Sequence, residues 1–442
     1  MKNLHVLRTG TLAIVLSLAV AAAASGGAAK SGSATRNTAV SGSVSFDGIW
    51  TGSEATAFGK VIAAFNKVYP NVKINYKPLG NNLTTVLSTA ITGGNPPDMA
   101  DIASPGYVKQ LVQQGKLKPI TYAKSAIAAN FAPSWMSIGT FQNQLYALVF
   151  KASNKSLLWY NVPAFKAAGV TPPKTWSQLA SAAKTLLASG TPAYSIGGAD
   201  GWTLSDLFEN IYLRTFGAAK YDQLSAHTIK WTDPSVITTL TTMSKIFADT
   251  SNLAGGASGA LQYGFNDSVT NAFGTPPKAA MVFEADFVSG VILSSTKAKA
   301  GTGFNVVPFP SITPGPDSTA VEISGDLFVT FRDTPAIEAF VNFLATSAAA
   351  DAWAKQGGFA TGNHNVSLSA YPNPIDRSDQ QAVATAKSAV FDMSDAQPAS
   401  FGSTTGQGEW GLFQTLLKNP SSVSSVAAQL EKDATAAYKK GK

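Results

Sequence analysis

Glu284 and Asp286 stand two residues apart at the end of an apolar run, in Ala279–Phe287, AAMVFEADF. In a strand that spacing puts both carboxylates on one face. Two such groups repel unless hydroxyls, a cation or solvent offsets the charge. The pair therefore suits one of two tasks. It can accept hydrogen bonds from a polyhydroxylated ring. Or it can act as the acid and base of glycoside hydrolysis, where a retaining pair lies ~5 Å apart. The plain alternative is a solvated strand end that caps the helix behind it. Phe287 follows directly and adds an apolar face.

A sugar ring also needs flat apolar partners for its C–H face, which aromatic side chains supply. Trp202 fits that need best. It follows Gly197-Gly198 and Gly201 in a stretch that reads as a loop, outside any periodic apolar run. Aromatics on loops serve binding more often than packing. Trp50 and Glu54 flank the turn after the first strand; both face a cleft, or Trp50 packs under the following helix. Asp101 and Ser104 end the third strand, as ligand groups or as the cap of the next helix. Asp326 begins a later strand. Trp410, in Gly406-Gln407-Gly408-Glu409-Trp410, either lines the site or joins Phe413, Leu416 and Leu417 in a helix core. Trp135, Trp159, Trp176, Trp231 and Trp353 lie within helix or strand patterns and read as structural.

The elements that would hold these side chains follow from periodicity and punctuation. Ser43–Trp50 reads as a strand and Glu54–Tyr69 as a helix stopped by Pro70. Val72–Tyr76 is a strand, Leu83–Ile91 a helix ended by Gly93-Gly94, and Pro97–Ile102 a short strand. That alternation predicts an α/β arrangement with a largely parallel sheet. Leu145–Phe150 and Leu157–Tyr160 read as two strands separated by a polar break, Lys151–Ser156. Pro163 opens a helix that Gly169 closes. Thr175 and Gln178 form a capping box. The helix behind them places Leu179, Ala182, Ala183, Leu186 and Leu187 on one face, and Gly190 ends it. Leu204, Leu207, Phe208, Ile211 and Tyr212 mark another helical face. Asp233-Pro234 caps a further helix, burying Val236, Leu240, Met243 and Phe247. Ala279–Val291 is an apolar strand leading into a polar turn. Phe304–Pro310 and Gly325–Phe331 are strands, Thr334-Pro335 caps a helix, and Gly357-Gly358-Phe359 breaks the pattern. An amphipathic helix closes the chain with Val423, Val426, Ala427, Leu430 and Ala434 inward. Periodicity alone gives two α/β domains.

Composition narrows the function. The chain has 442 residues, 45% hydrophobic and 13% charged, enough for two or three domains with a sizeable core. It has no cysteine, which rules out disulfides, thiol nucleophiles and thiolate metal sites. Met1–Ala24 has a basic start, an apolar middle and small residues at its end, the pattern of a secretory signal. Lys2 and Arg8 leave with it, so the formal charge falls from +7 to +5. The basic residues are scattered with no aromatic-interleaved run, so nucleic acid is not an expected partner. Residues 25–43, rich in Gly, Ala and Ser, read as a flexible leader, and no later segment reads as a membrane span. His5 leaves with the signal; His227 and His364 are isolated. No metalloprotease, nucleophile-elbow, phosphate-loop or dinucleotide motif is present, and no cofactor or metal is expected. A secreted glycoside hydrolase built on Glu284 and Asp286 is the best enzyme reading; a surface adhesin is a third class.

The run Tyr160-Asn161, Phe165, Gly169, Pro172, Thr175-Trp176 and Leu179 resembles the crossing between lobes in extracellular solute-binding proteins of sugar ABC transporters. Trp50 with Glu54, Tyr69-Pro70 with Val72 and Ile74, and Gly94 with Pro96-Pro97-Asp98 are similar to that family's first lobe. Asp200–Leu213 resembles a segment of its α-glucoside-type members, and the Glu284–Phe287 run a sugar-contacting strand end. The resemblance covers residues 44–442. It implies a two-lobed, type II periplasmic-binding-protein-like α/β fold with a hinge and a ligand cleft between lobes. Lobe one would comprise 44–150 and 308–355, and lobe two 151–307 and 356–442. It implies a non-catalytic, exported, monomeric protein that captures a carbohydrate, an α-glucoside or oligosaccharide, and hands it to membrane permease subunits. Ser25 stands where many members carry a lipid-bearing cysteine, so that anchor is not expected. The cleft residues implied are Trp50, Glu54, Asp101, Ser104, Trp202, Glu284, Asp286, Phe287, Asp326 and Trp410.

Overall fold

Val44, Phe46 and Gly48 point inward from the first strand while Ser43 and Ser45 point out, the alternation of a strand covered on one side. A computed structural model describes residues 35–312, 320–385 and 389–440. The signal sequence expected at Met1–Ala24, with His5, and Ser25 lie outside the described residues. The end of the expected leader is fixed: Asn37 N donates to Val68 O at 2.7 Å, and Asn71 Nδ2 to Thr38 O at 2.8 Å. Among the described residues no helix is long and apolar enough to cross a membrane.

The strands are β1 (Gly42–Gly48), β2 (Val72–Pro78), β3 (Met99–Ile102), β4 (Thr140–Phe141), β5 (Gln144–Leu145), β6 (Ala147–Asn154), β7 (Leu157–Asn161), β8 (Met281–Phe283), β9 (Phe304–Pro308), β10 (Val321–Thr330) and β11 (Ala389–Phe391). β1 runs parallel to both β2 and β3. β10 lies antiparallel between β3 and β6, and β11 runs parallel to its first residues. A second, three-stranded sheet places β7 between β8 and β9, all antiparallel. The parallel arrangement expected from strand–helix alternation thus holds for β1–β3 and not for the second sheet.

Each sheet has its own core. Around the first, Phe46, Phe58, Phe328 and Phe340 cluster with Trp50, Phe150 and Trp353, mostly edge-on or tilted, with Phe150 stacked on Phe328. Around the second, helix Trp202–Phe216 places Phe208 against Trp231 and Phe413. Thr203 to Arg214 of that helix are all buried, its polar face included. The capping box is formed: Thr175 Oγ1 accepts from Gln178 N, and Gln178 Oε1 from Thr175 N.

The chain leaves the first sheet after Asn154, enters the second at Leu157, and returns between Pro308 and Val321. Phe359, Val366 and Tyr371 pack into the first core, and β11 joins the first sheet. The last two helices, Gly408–Lys418 and Val423–Lys440, pack on the second core.

Three local expectations need correction. Lys151–Ser156 is no break: β6 continues through Lys151 to Asn154, and all of it is buried. Burial of those polar groups is tolerated because each lysine meets carboxylates. The strand expected over Ala279–Val291 ends at Phe283, and residues 284–287 form a turn before helix Val288–Ser295. Glu284 and Asp286 therefore do not share a strand face. Asp326 lies inside β10, at a register shift against β6, rather than at a strand start.

Candidate functional site

A cavity of about 490 Å³ opens between the two lobes. Of the residues singled out in the sequence, Trp50, Glu54, Ser104, Trp202, Phe287, Asp326 and Trp410 line it; Asp101, Glu284 and Asp286 lie behind its wall. β6 supplies the floor, with Lys151 and Ser153 two apart, followed by Lys155 after the strand end.

Lys151 Nζ reaches Glu54 Oε1 at 3.1 Å and Asp326 Oδ2 at 3.6 Å. Trp50 Nε1 donates to the same Asp326 oxygen at 2.8 Å. Trp50 itself is 1% exposed, edge-packed on Trp353, Phe58 and Phe328, so its ring belongs to the core and its N–H positions Asp326. Burial acts to lower the Lys151 pKa, but Glu54, Asp326 and Asp286 outweigh it and hold the ammonium above its usual range. Burial also lifts Glu54, against the pull of Lys151. Beneath, Tyr76 donates to Trp50 O at 3.0 Å and sits 3.4 Å from Asp101 Oδ2. Gly48 permits this, because a Cβ there would lie 2.2 Å from the Tyr76 ring. Burial, then the charges of Asp326 and Glu54, raises Asp101 well above the carboxylate range.

Lys155 anchors a second group. Its ammonium pairs with Asp206 Oδ1 at 3.0 Å and with Asp392 Oδ2. Asn210 Nδ2 donates to Lys155 O at 3.1 Å and to Glu322 Oε2 at 2.8 Å. One carboxylate oxygen from each of Asp206, Glu322 and Asp392 lies within 4.8 Å of the others, a spacing that would suit a metal ion. The Lys155 ammonium already bonds two of the three and supplies that positive charge. Burial pushes Asp206 up to about 7 against Lys155, with Glu284 hydrogen-bonded beside it. Burial likewise pushes Asp286 up to about 7, where Lys151 and the Asn154 N–H oppose it. Glu284 and Asp286 thus face different partners, which removes the acid–base pair on which a hydrolase reading rested.

The second lobe supplies an aromatic wall. Trp202 packs 5.3 Å from Phe265 and 6.0 Å from Phe287, and those two are 5.1 Å apart. Trp202 is the first residue of its helix rather than a loop residue. Gly201 before it has φ +83°, and a Cβ there would lie 2.6 Å from Trp410 Cβ, so glycine lets the helix start approach Trp410. Lys151 Nζ lies 4.5 Å from the Phe287 ring centre and Lys155 Nζ 5.6 Å from that of Trp202.

Sequence reasoning missed Lys151, Lys155, Asn81, Phe265 and Asp395, all on the cavity wall. The lysines had a signal: Lys151, Ser153 and Lys155 recur at strand spacing directly after an apolar run. Asp395 follows Asp392, which caps helix Met393–Ala396 through Asp395 N at 3.0 Å.

The profile of the bacterial extracellular solute-binding proteins matches residues 51–351. The osmoprotective compounds-binding protein GgtB of Synechocystis sp. is 26% identical over 364 residues, 81% of this chain and 85% of its own. The alpha-glucosides-binding periplasmic protein AglE of Rhizobium meliloti is 29% identical over 367 residues, 80% of each chain. Among solved structures, the bacterial solute receptor AcbH, described for its preference for β-D-galactopyranose, superposes with TM-score 0.77 at 19% identity, covering 90% of this chain and 99% of its own. These relatives are binding proteins by name, and none is a hydrolase. With the matched profile spanning most of the folded chain, this protein belongs to the bacterial extracellular solute-binding proteins.

Proposed function

We propose that the protein captures a carbohydrate, an α-glucoside or short oligosaccharide, between its lobes and delivers it to the permease of an ABC importer. The observation that carries this reading is the pairing of two walls. Trp202, Phe265 and Phe287 offer apolar rings from one lobe; Glu54, Lys151 and Asp326 offer fixed polar groups from the other. A pyranose presents these two kinds of surface, a C–H face and a belt of hydroxyls. A volume of about 490 Å³ is within the range of small-molecule sites. The name of AglE, an alpha-glucosides-binding protein, supports an α-glucoside over other sugars. In the working cycle the exported, mature chain acts as a monomer. Its ligand binds the closed arrangement more tightly than the open one, since equal affinity would shift nothing. Trp202, Phe287, Trp410, Glu54, Asp326 and Ser104 contact the sugar; Trp50, Asp101, Glu284 and Asp286 hold the contacting groups in place.

Calorimetric titration of the mature chain with mono-, di- and trisaccharides, polyols and amino acids, with product analysis, tests this. Saturable binding of an unhydrolysed α-glucoside supports it. Binding of amino acids or polyamines alone overturns it.

A further inference from the structure

The cavity wall carries more carboxylates than cations can balance. Glu54, Asp200, Asp267, Asp326 and Asp395 line it against Lys151 and Lys155. Both lysines already have carboxylate partners: Glu54 and Asp326 for one, Asp206 and Asp392 for the other. One lining carboxylate stands apart. Asp395 is 7% exposed, yet among the described residues its side chain meets no donor; its backbone alone bonds, to Ser104 and Asp392. Its small exposed surface opens on the cavity.

We infer that the ligand carries a basic nitrogen, as in an amino sugar or an amino-linked cyclitol, and that Asp395 holds this ammonium. The inference rests on the carbohydrate reading above and refines its substrate class. Three features favour an ammonium over a hydroxyl at this point. A buried carboxylate without a donor costs desolvation energy, which an opposite charge offsets better than a neutral hydroxyl does. The charges facing Asp395 are Asp392 on its own helix, Asp206 on helix Trp202–Phe216, Asp326 on β10, and Lys155. The acids outnumber the one cation, and after burial they are what raises the Asp395 pKa well above its usual range. A ligand ammonium relieves that repulsion. The aromatic wall of the same cavity offers ring faces that attract cations. Among the described residues the cavity lining has no cation without a carboxylate partner, which disfavours a phosphate or a uronic acid.

The probes are maltose and trehalose, their mono-amino derivatives and their monophosphates, titrated calorimetrically into the wild-type chain and into Asp395→Asn. The readout is the affinity ratio of each derivative to its parent sugar. In the wild type, at least one amino derivative binds about tenfold more tightly than its parent, and the phosphates do not bind. In Asp395→Asn that advantage falls to within about twofold. Parent sugars that bind while every amino derivative binds more weakly overturn the inference and leave the carbohydrate reading intact. So does an amino advantage that survives Asp395→Asn. No binding by any sugar, whatever its charge, overturns the carbohydrate reading itself. The wild-type ratios alone decide the matter if the variant folds poorly.

Discussion

Asn81 Nδ2 donates to Asp200 Oδ1 at 2.8 Å, a bond between residues of the two lobes at the rim of the cavity. Asp200 also accepts from Phe265 N, and Thr405 Oγ1 donates to Asn81 O at 3.2 Å. The rim is therefore latched: the loop after β2 is tied to the start of helix Trp202–Phe216 and to the segment before helix Gly408–Lys418.

Asn81→Ala removes a bond that joins the two lobes across the cavity rim. A hydrogen bond to a charged group contributes ~1.5–3 kcal/mol when well shielded, and less at a partly exposed rim. The expected outcome is a roughly 3–10-fold weaker affinity, carried mainly by faster dissociation. Stopped-flow dissociation of the bound sugar checks this. An unchanged off-rate would show that the latch does not hold the closed state.

Lys155→Met leaves Asp206 and Asp392 buried without their cation. Breaking a buried ion pair from one side costs ~3–5 kcal/mol. The variant should lose about 3 kcal/mol or more against urea, before any ligand is added. A loss under about 1 kcal/mol would mean that water or protonation replaces the lysine readily.

The fold was legible where the determinants are local. Thr175 and Gln178 cap a helix by contacts three residues apart, Thr334 does the same through Ile337 N, and Asp233 caps through Ser235 N two residues on. The site was legible only in part. Trp202 stood out because it precedes the apolar face of its helix and follows glycines. Lys151, in a fully buried strand, and Lys155, buried just past its end, were hidden because charged residues look like a loop until their partners, Asp326 and Asp392, arrive from far along the chain. Glu284 and Asp286 misled because β8 stops at Phe283, a stop set by the turn and not by their own types. The Asn81–Asp200 bond spans 119 positions and leaves no local trace.

Asp206 and Asp286 bring a pH dependence of opposite sign to that of ordinary surface carboxylates. Both are pushed up to about 7 by burial, whereas unfolded carboxyls titrate near ~4. Between those values the folded chain holds more protons than the unfolded one, so stability falls as pH rises from about 4 to about 7. Urea unfolding should give a higher midpoint at pH ~5 than at pH ~7.5. Glu284→Gln, which replaces the acid beside Asp206 with an amide donor, should flatten that slope. A midpoint that rises with pH would contradict the assigned shifts.

Trp50→Ala and Trp202→Ala should separate core from site. Trp50 is enclosed by Phe58, Phe328 and Trp353, and its loss should cost ~3–5 kcal/mol of stability. Trp202 is only partly buried and faces the cavity, so its loss should leave the unliganded melting point within a few degrees. Circular dichroism melts of the two variants, side by side, check this. Equal destabilisation would place Trp202 in the core.

The most direct measurement is the sugar-induced rise in melting temperature, recorded in parallel for the wild type and Trp202→Ala with maltose and trehalose at saturating concentration. A ligand at about 100 times its Kd adds ~2.7 kcal/mol to the native state. A clear rise in the wild type, absent from Trp202→Ala, is the predicted result. A rise of equal size in both proteins, or none in the wild type with any sugar, would contradict a carbohydrate site built on the aromatic wall.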